Sequence, residues 1–441
     1  MNITEILPGI HYVGVNDRTT TRFEGLWSLP HGVSYNAYLV ADEKVALIDT
    51  VEEAFGSRLF ENIRETIGDR PIDYLVVNHM EPDHSSSIRA LRLLYPDIRI
   101  VGNAKTLQMI QGFYGIDTGT LEVKEGDTIS LGAKTLSFYM APMVHWPETM
   151  VTWCAEAGTL FSGDAFGTFG ALNGALFADE VDFFHDYIDE ARRYYTNIVG
   201  KYGPQVQAVL KKAAGIEIKM VCPLHGFVWR KKFNQFLEKY IQWATYTPEE
   251  TGVVIAYASV YGNTANTADI LAAKLRELGI KTEVYDASYT AADEILAAAF
   301  RYSHLVFAST TYNAGIYIAM ENLLHDIVNH NLQNRTVALI ENGSWAPAAG
   351  GLMHDLLAQL PGTKFIDQTV TVRSSLKERQ MCEIDAMVQA IAATMPGVCA
   401  AQAKKPDARA ILRTSPAEMA AAGGVEAVDP NAMFKFSYGL F

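Results

Sequence analysis

Tyr74-Leu-Val-Val-Asn-His79-Met-Glu81-Pro-Asp83-His84 is a short apolar strand running into four metal-capable side chains within six residues. Imidazoles and carboxylates crowded at a strand end repel one another or go unsatisfied unless a cation binds them. A solvated acidic loop with two satisfied histidines is the bland alternative. Three further candidates end β-rich runs in the same way. They are His145 in Ala141-Pro-Met-Val-His-Trp-Pro-Glu148, Asp164 in Phe161-Ser-Gly-Asp-Ala-Phe166, and His225 in Val221-Cys-Pro-Leu-His-Gly226. Each is followed by a turn-forming residue, so its side chain is offered at the rim of a sheet.

Around these segments, β-branched and aromatic runs predict strands at Ser34–Val40, Val45–Asp49, Tyr74–Asn78, Ile98–Val101, Leu136–Tyr139, Met150–Cys154, Thr159–Ser162 and Lys219–Cys222. Helical periodicity falls at Ala54–Thr66, Ile88–Tyr95, Asp186–Tyr202, Val206–Ala214 and Lys231–Tyr246. Strands with interspersed helices over this length predict an α/β sandwich. Near Thr247-Pro248 the pattern changes to strict alternation. Strands at Val253–Ala258, Lys281–Asp286, His304–Ser309, Thr336–Glu341 and Lys364–Arg373 alternate with helices at Thr264–Leu278, Ala291–Phe300, Tyr317–Asn329, Gly350–Leu360 and Leu376–Met395. Five strands so arranged predict a doubly wound parallel sheet.

The loops of that second region carry their own chemistry. Ser259-Val-Tyr261-Gly262-Asn263-Thr264 joins the first parallel strand to its helix, where backbone N–H groups and hydroxyls suit a phosphate. It has no Walker lysine, which disfavours a nucleoside triphosphate. Ser309-Thr310-Thr311-Tyr312-Asn313-Ala314-Gly315 follows the third strand, and Asn342-Gly343-Ser344-Trp345 follows the fourth. All three lie at carboxyl ends of strands around the switch point, where such sheets bind ligands.

Together the seven metal candidates resemble the metallo-β-lactamase superfamily, and the three loops resemble the phosphate and ring loops of flavodoxin. The zinc members of that superfamily usually carry His where this chain has Glu81. A second carboxylate hardens the ligand set, which suits iron better than zinc. The spacings of 61 residues from His84 to His145, 19 to Asp164 and 61 to His225 are similar to those of flavodiiron proteins. That resemblance implies an α/β chain: a metallo-β-lactamase-like αββα sandwich over 1–248, then a flavodoxin-like five-stranded parallel sheet over 252–398. It implies one iron on His79, Glu81 and His145, a second on Asp83, His84 and His225, and Asp164 bridging them. FMN is the implied second cofactor. The implied activity is reduction of O2 to water or NO to N2O, with electrons from a rubredoxin-like or NAD(P)H-linked donor. The implied assembly is a head-to-tail homodimer or dimer of dimers. The competing reading is a zinc hydrolase with an accessory flavodoxin domain. A redox carrier with a non-catalytic metal site is a third.

Fewer signals attach to other residues. Asp49 ends a strand and could orient a ligand histidine or simply cap a turn. Trp146, beside His145, could shape the pocket, and Tyr194 and Tyr195 could donate hydrogen bonds into it. Family members often have Phe-His-Gly where this chain has Phe23-Glu24-Gly25. The net charge of −14 argues against nucleic acid or anionic membranes as partners. No secretory leader or membrane-length apolar run is visible, and the four cysteines form no Cys-x-x-Cys pair. The reading is a cytoplasmic protein. Residues 399–441 read as a linker and an apolar tail, Phe434-Lys-Phe-Ser-Tyr-Gly-Leu-Phe441, resembling the first strand of a missing flavin-reductase-like domain.

Overall fold

Two sheets face each other in the first part of the chain, and a third sheet follows. The computed structural model describes residues 4–396. The first sheet has seven strands in the order Thr4–Leu7, Ile10–Tyr12, Tyr38–Ala41, Val45–Ile48, Tyr74–Val76, Arg99–Gly102 and Thr120–Glu122. It is antiparallel at its N-terminal side and parallel from Val45–Ile48 onward. The second sheet orders Thr128–Ser130, Thr135–Met140, Met150–Cys154, Thr159–Phe161 and Met220–Cys222. Alternation in Thr135–Met140 sends Leu136 and Phe138 fully into the core, with Thr135, Ser137 and Tyr139 half-buried. Tyr38 of the first sheet meets Phe161 of the second at 5.4 Å between ring centroids. Burying such a side chain contributes about 2–3 kcal/mol. Helices lie outside the sheets, completing an αββα sandwich.

The third sheet runs Thr282–Asp286, Glu250–Ala258, Tyr302–Tyr312, Thr336–Asn342 and then Lys364–Phe365, all parallel. This 2-1-3-4-5 order is the flavodoxin-like one. Val306, Ala308, Ala338 and Ile340 are buried, as central strands covered on both faces require.

Several elements differ from the sequence reading. Ser34–Val40 is two strands. Val33–Tyr35 pairs with Val15–Asp17 and Tyr38–Ala41 joins the large sheet, because Asn36 turns its amide to the carbonyls of Pro223 and Gly226. The helix expected at Asp186–Tyr202 is regular only over Ile188–Tyr194, then widens into a π turn at Tyr195–Val199 and tightens over Gly200–Tyr202. There the Asn197 amide donates to Arg193 O and Asp293 O, the local competition that disrupts regular helix. Lys364–Arg373 is split into Lys364–Phe365 and Val370–Val372, both paired with Thr336–Asn342. The last helix spans Met381–Ala393, shorter than Leu376–Met395. Helix Ala104–Tyr114, absent from the sequence reading, starts at Asn103, whose side chain accepts from Lys105 N and Thr106 N. The linker and tail expected at 399–441 lie outside the described residues.

Polar clamps join the third sheet to the sandwich. Arg335 is 2% exposed and donates to the carbonyls of Tyr246, Ala299, Phe300 and Gln333. Arg193 pairs with Asp293 at 2.7 Å. Glu249 takes Arg192, Lys239 and the Trp243 indole N–H. Burial alone would raise the Glu249 carboxyl, but these partners hold it down at about 2.

Candidate active site

Four loops at one rim of the sandwich bring all seven metal candidates together. One loop follows Tyr74–Val76, one joins Thr135–Met140 to Met150–Cys154, one follows Thr159–Phe161 and one follows Met220–Cys222. The ligand atoms form two groups, His79, Glu81, His145 and Asp164, and Asp83, His84 and His225, all buried. In the first, Glu81 Oε2 lies 3.2 Å from His79 Nε2 and 3.1 Å from His145 Nε2. In the second, Asp83 Oδ2 lies 3.2 Å from both His84 Nε2 and His225 Nε2. Asp164 straddles them. Its Oδ2 is 3.2 Å from His145 Nε2 and 3.6 Å from His79 Nε2, and its Oδ1 is 3.4 Å from His84 Nε2.

The donor set fits a pair of cations. Ligand atoms about 2.1 Å from one ion and at right angles sit about 3 Å apart. With the four imidazoles neutral, the form in which they bind a metal, the three carboxylates leave an excess of negative charge. Both Asp83 oxygens and Asp164 Oδ1 are buried without a hydrogen-bond donor, and His84 Nε2 points at His225 Nε2 from 2.9 Å. Bare, this arrangement is unfavourable; around two divalent ions it is satisfied.

Surrounding groups fix the imidazoles. His225 Nδ1 donates to Ser34 O at 2.7 Å, and His79 Nδ1 meets Glu148 Oε1 at 3.0 Å, so each Nε2 faces the cluster. Sequence reasoning missed Glu148 as a partner. Its signal is an acid three residues after His145, fully buried. Asp49 makes its hydrogen bonds to Asn78 and the His79 backbone rather than to an imidazole ring. It accepts from the backbone N–H of Asn78 at 2.7 Å and of His79 at 3.3 Å, pinning the loop. Trp146 stands edge-on to His79, with ring centroids 5.3 Å apart. Of the two tyrosines it is Tyr194 that faces the site, with its ring 5.5 Å from that of His225. Tyr195 packs instead on Tyr240 and Trp243. Phe23 stands 5.3 Å from the His225 ring. Glu24 is an exposed residue whose carboxyl turns toward Glu81, and desolvation of that carboxyl, then the hydrogen bond and repulsion from Glu81, raise it above the usual carboxylate range.

These charges set a pH dependence for the metal-free protein. Burial alone would lower His145, but hydrogen bonds donated by its ring to the Asp164 and Glu81 carboxylates outweigh it and raise it to about 9. A raised histidine contributes stability that is fully present below its unfolded pKa, about 6.5. That contribution is lost as pH rises through about 9. The melting temperature of chelator-treated protein is therefore expected to fall by roughly 3 °C or more between pH 6.5 and 9, and that of metal-loaded protein much less. Parallel melting curves for the two forms across this range would refute the assignment.

The second site is a 480 Å³ pocket at the carboxyl edge of the third sheet. Every loop residue numbered in the sequence reading lines it except Gly262, Ser309 and Gly315, and Val260, Ala346 and Ser374 join them. Gly262 instead caps helix Asn263–Glu277 in the left-handed region, at φ 84°. Thr264 and Thr310 hydroxyls meet at 2.9 Å beside that helix start. The Asn313-Ala314 turn joins Tyr302–Tyr312 to Gly315–Ile316, both residues at positive φ, as a two-residue hairpin needs. Backbone N–H groups at a helix start, hydroxyls, and the broad faces of Tyr312 and Trp345 fit a phosphate-bearing planar cofactor such as FMN.

A two-cation cluster on a metallo-β-lactamase-like sandwich, followed by a flavodoxin-like sheet, defines a two-centre redox protein. Residues 33–226 match a family described as "ODP family beta lactamase". The anaerobic nitric oxide reductase flavorubredoxin of Aeromonas hydrophila is 32% identical over 77% of this chain and 70% of its own length. That of Salmonella paratyphi B is 30% identical over 86% and 78%. Among solved structures, rubredoxin oxygen:oxidoreductase from Desulfovibrio gigas superposes with a TM-score of 0.84 at 29% identity, covering 88% of this chain and 98% of that one. The flavodiiron protein from Giardia intestinalis does so with 0.83 at 25% identity, covering 89% and 95%. The chain belongs to the flavodiiron protein family and is an oxidoreductase. Among the described residues no helix is long and apolar enough to cross a membrane.

Proposed function

We propose that this protein reduces O2 or NO at two irons held by His79, Glu81, Asp83, His84, His145, Asp164 and His225, with electrons delivered through FMN. The observation that carries this reading is the Asp164 carboxylate straddling two buried groups, one of which takes Glu81 in place of imidazole. When bound, the iron pair supplies sites for a diatomic ligand and FMN supplies electrons. Everything else falls to the chain. Glu148 and the Ser34 carbonyl hold the His79 and His225 rings with Nε2 inward. Ser259, Asn263, Thr264 and Thr310 would hold the flavin phosphate, and Tyr312 and Trp345 its ring. Anaerobically reduced protein, loaded with FMN and iron, should be reoxidised within milliseconds to seconds on stopped-flow mixing with one of the two gases. Failure of both gases to reoxidise it would end the proposal.

Tyr194 is the proposed proton-bearing hydrogen-bond donor over the site. Its hydroxyl is buried without a partner, and burial followed by Asp164, Glu81 and Asp83 pushes its pKa well above 10. It therefore stays protonated and free to donate. A Cβ at Gly167 would come within 2.7 Å of the Tyr194 ring, so glycine there lets the ring reach in. Tyr194→Phe is expected to lower turnover about tenfold at unchanged iron content; turnover equal to that of the parent would remove Tyr194 from the mechanism.

The proposed donor is a small rubredoxin-like carrier, as the names of the similar proteins suggest. The proposed assembly is a head-to-tail pair, supported by Tyr261, Trp345 and Tyr312, which leave the rim of the flavin pocket 92%, 87% and 50% exposed. A fully active monomer in sedimentation at assay concentration would exclude this arrangement. The proposed domain limits are 1–248 and 252–398.

A further inference from the structure

A 360 Å³ cavity lies behind the metal cluster, between the outer face of the second sheet and helices Gly203–Ala213 and Phe233–Ala244. Its wall is apolar, with Val151, Leu160, Val206, Val209, Leu210 and Leu237 around it. Most of the polar groups it contains are engaged or reach solvent, and Trp153 is half-buried in its wall. The Ser162 hydroxyl donates to Ala165 O at 2.8 Å, and Tyr240 Oη accepts from Phe166 N at 3.4 Å. Lys212 Nζ is held by Glu125 and Met140 O, Asn234 is exposed and Tyr139 is half-buried. A polar ligand would find little beyond the Tyr240 hydroxyl proton to replace its water, which disfavours a polar substrate. Apolar walls hold water poorly and take up small apolar molecules such as xenon.

Two further features point to the occupant. At one end the wall includes Val144 and Ala165, the immediate neighbours of His145 and Asp164, so cavity and metal cluster share two loops. At the other, Ile216 and Ile241 line the cavity while remaining 37% and 42% exposed. The same lining thus joins partly exposed apolar side chains to the neighbours of two ligand residues, with Phe166, packed on Phe233 and Tyr240 at 4.9 and 4.6 Å, among them.

We propose that this cavity collects the small apolar gas consumed at the metal centre and passes it inward along Val144 and Ala165. The proposal rests on the gas-reducing reading above. Crystals of the full-length, cofactor-loaded protein pressurised with xenon should show xenon in the cavity. Filling it with Val209→Trp, or with Ala213→Phe should the first variant fold poorly, should remove that xenon. Either should also lower kcat/KM for the gas about fivefold or more, with kcat at saturating gas, iron content and FMN content unchanged. Absence of xenon from the parent cavity, or unchanged kcat/KM in a variant whose crystal structure shows the cavity filled, would overturn the proposal. Xenon bound in a parent protein that consumes neither gas would instead overturn the gas-reducing reading, and with it the delivery role, leaving only a site for apolar ligands.

Discussion

Glu81→His is expected to convert an iron protein into a zinc protein and to reduce consumption of O2 or NO to below about a hundredth of the parent rate. FMN should remain bound at the parent stoichiometry. Glu81 Oε2 lies within 3.2 Å of both His79 Nε2 and His145 Nε2, so the group holds one carboxylate of its own besides Asp164. Replacing it with imidazole leaves three neutral nitrogens and a shared carboxylate. This softer, less negative set favours zinc, which has no redox chemistry with which to serve the flavin. The flavin pocket is built from the third sheet and draws nothing from the cluster. Elemental analysis with oxygen- and nitric oxide-electrode assays measures the outcome. A variant that still loads iron and turns over would show that Glu81 does not select the metal.

Arg335→Met is expected to cost about 3–5 kcal/mol, the second largest effect foreseen and one on stability alone. The side chain keeps its bulk but gives up every donor, leaving the carbonyls of Tyr246, Ala299, Phe300 and Gln333 without this partner in a dry interior. Arg335→Lys should recover only part of the loss, because an ammonium offers three donors from one point where the guanidinium fans out five. Urea unfolding followed by tryptophan fluorescence reads the difference. A midpoint within error of the parent for Arg335→Met would mean that water replaces the guanidinium, and the clamp would lose its assigned role.

The seven metal candidates were legible as a cluster because their chemistry is dense in sequence or sits at strand ends. His79 to His84 announce themselves as a hexad, and His145, Asp164 and His225 follow β-rich runs. The five parallel strands were legible for a related reason, since alternating strands and helices leave few topologies open. What escaped was decided by contacts distant in sequence. Nothing local marks Asn36 as the residue that breaks a strand, because its partners are the carbonyls of Pro223 and Gly226. Nothing local separates Tyr194 from Tyr195 either. The helix turn that aims one at His225 and the other at Trp243 widens immediately afterward, where Asn197 bonds across to Asp293. Glu148 was visible as a letter, but its meaning depends on a hydrogen bond to His79, across 69 positions.

The order in which those loops occur along the chain has a consequence for biosynthesis. The ligands run from His79 to His225, and the last of them follows strand Met220–Cys222, which pairs in parallel with Thr159–Phe161. During translation the growing polypeptide cannot close the second half of the cluster until that strand has cleared the ribosome and docked. Completion of the second group is therefore a late event, made by a nearly finished sandwich, whereas the first has all four of its side chains by Asp164.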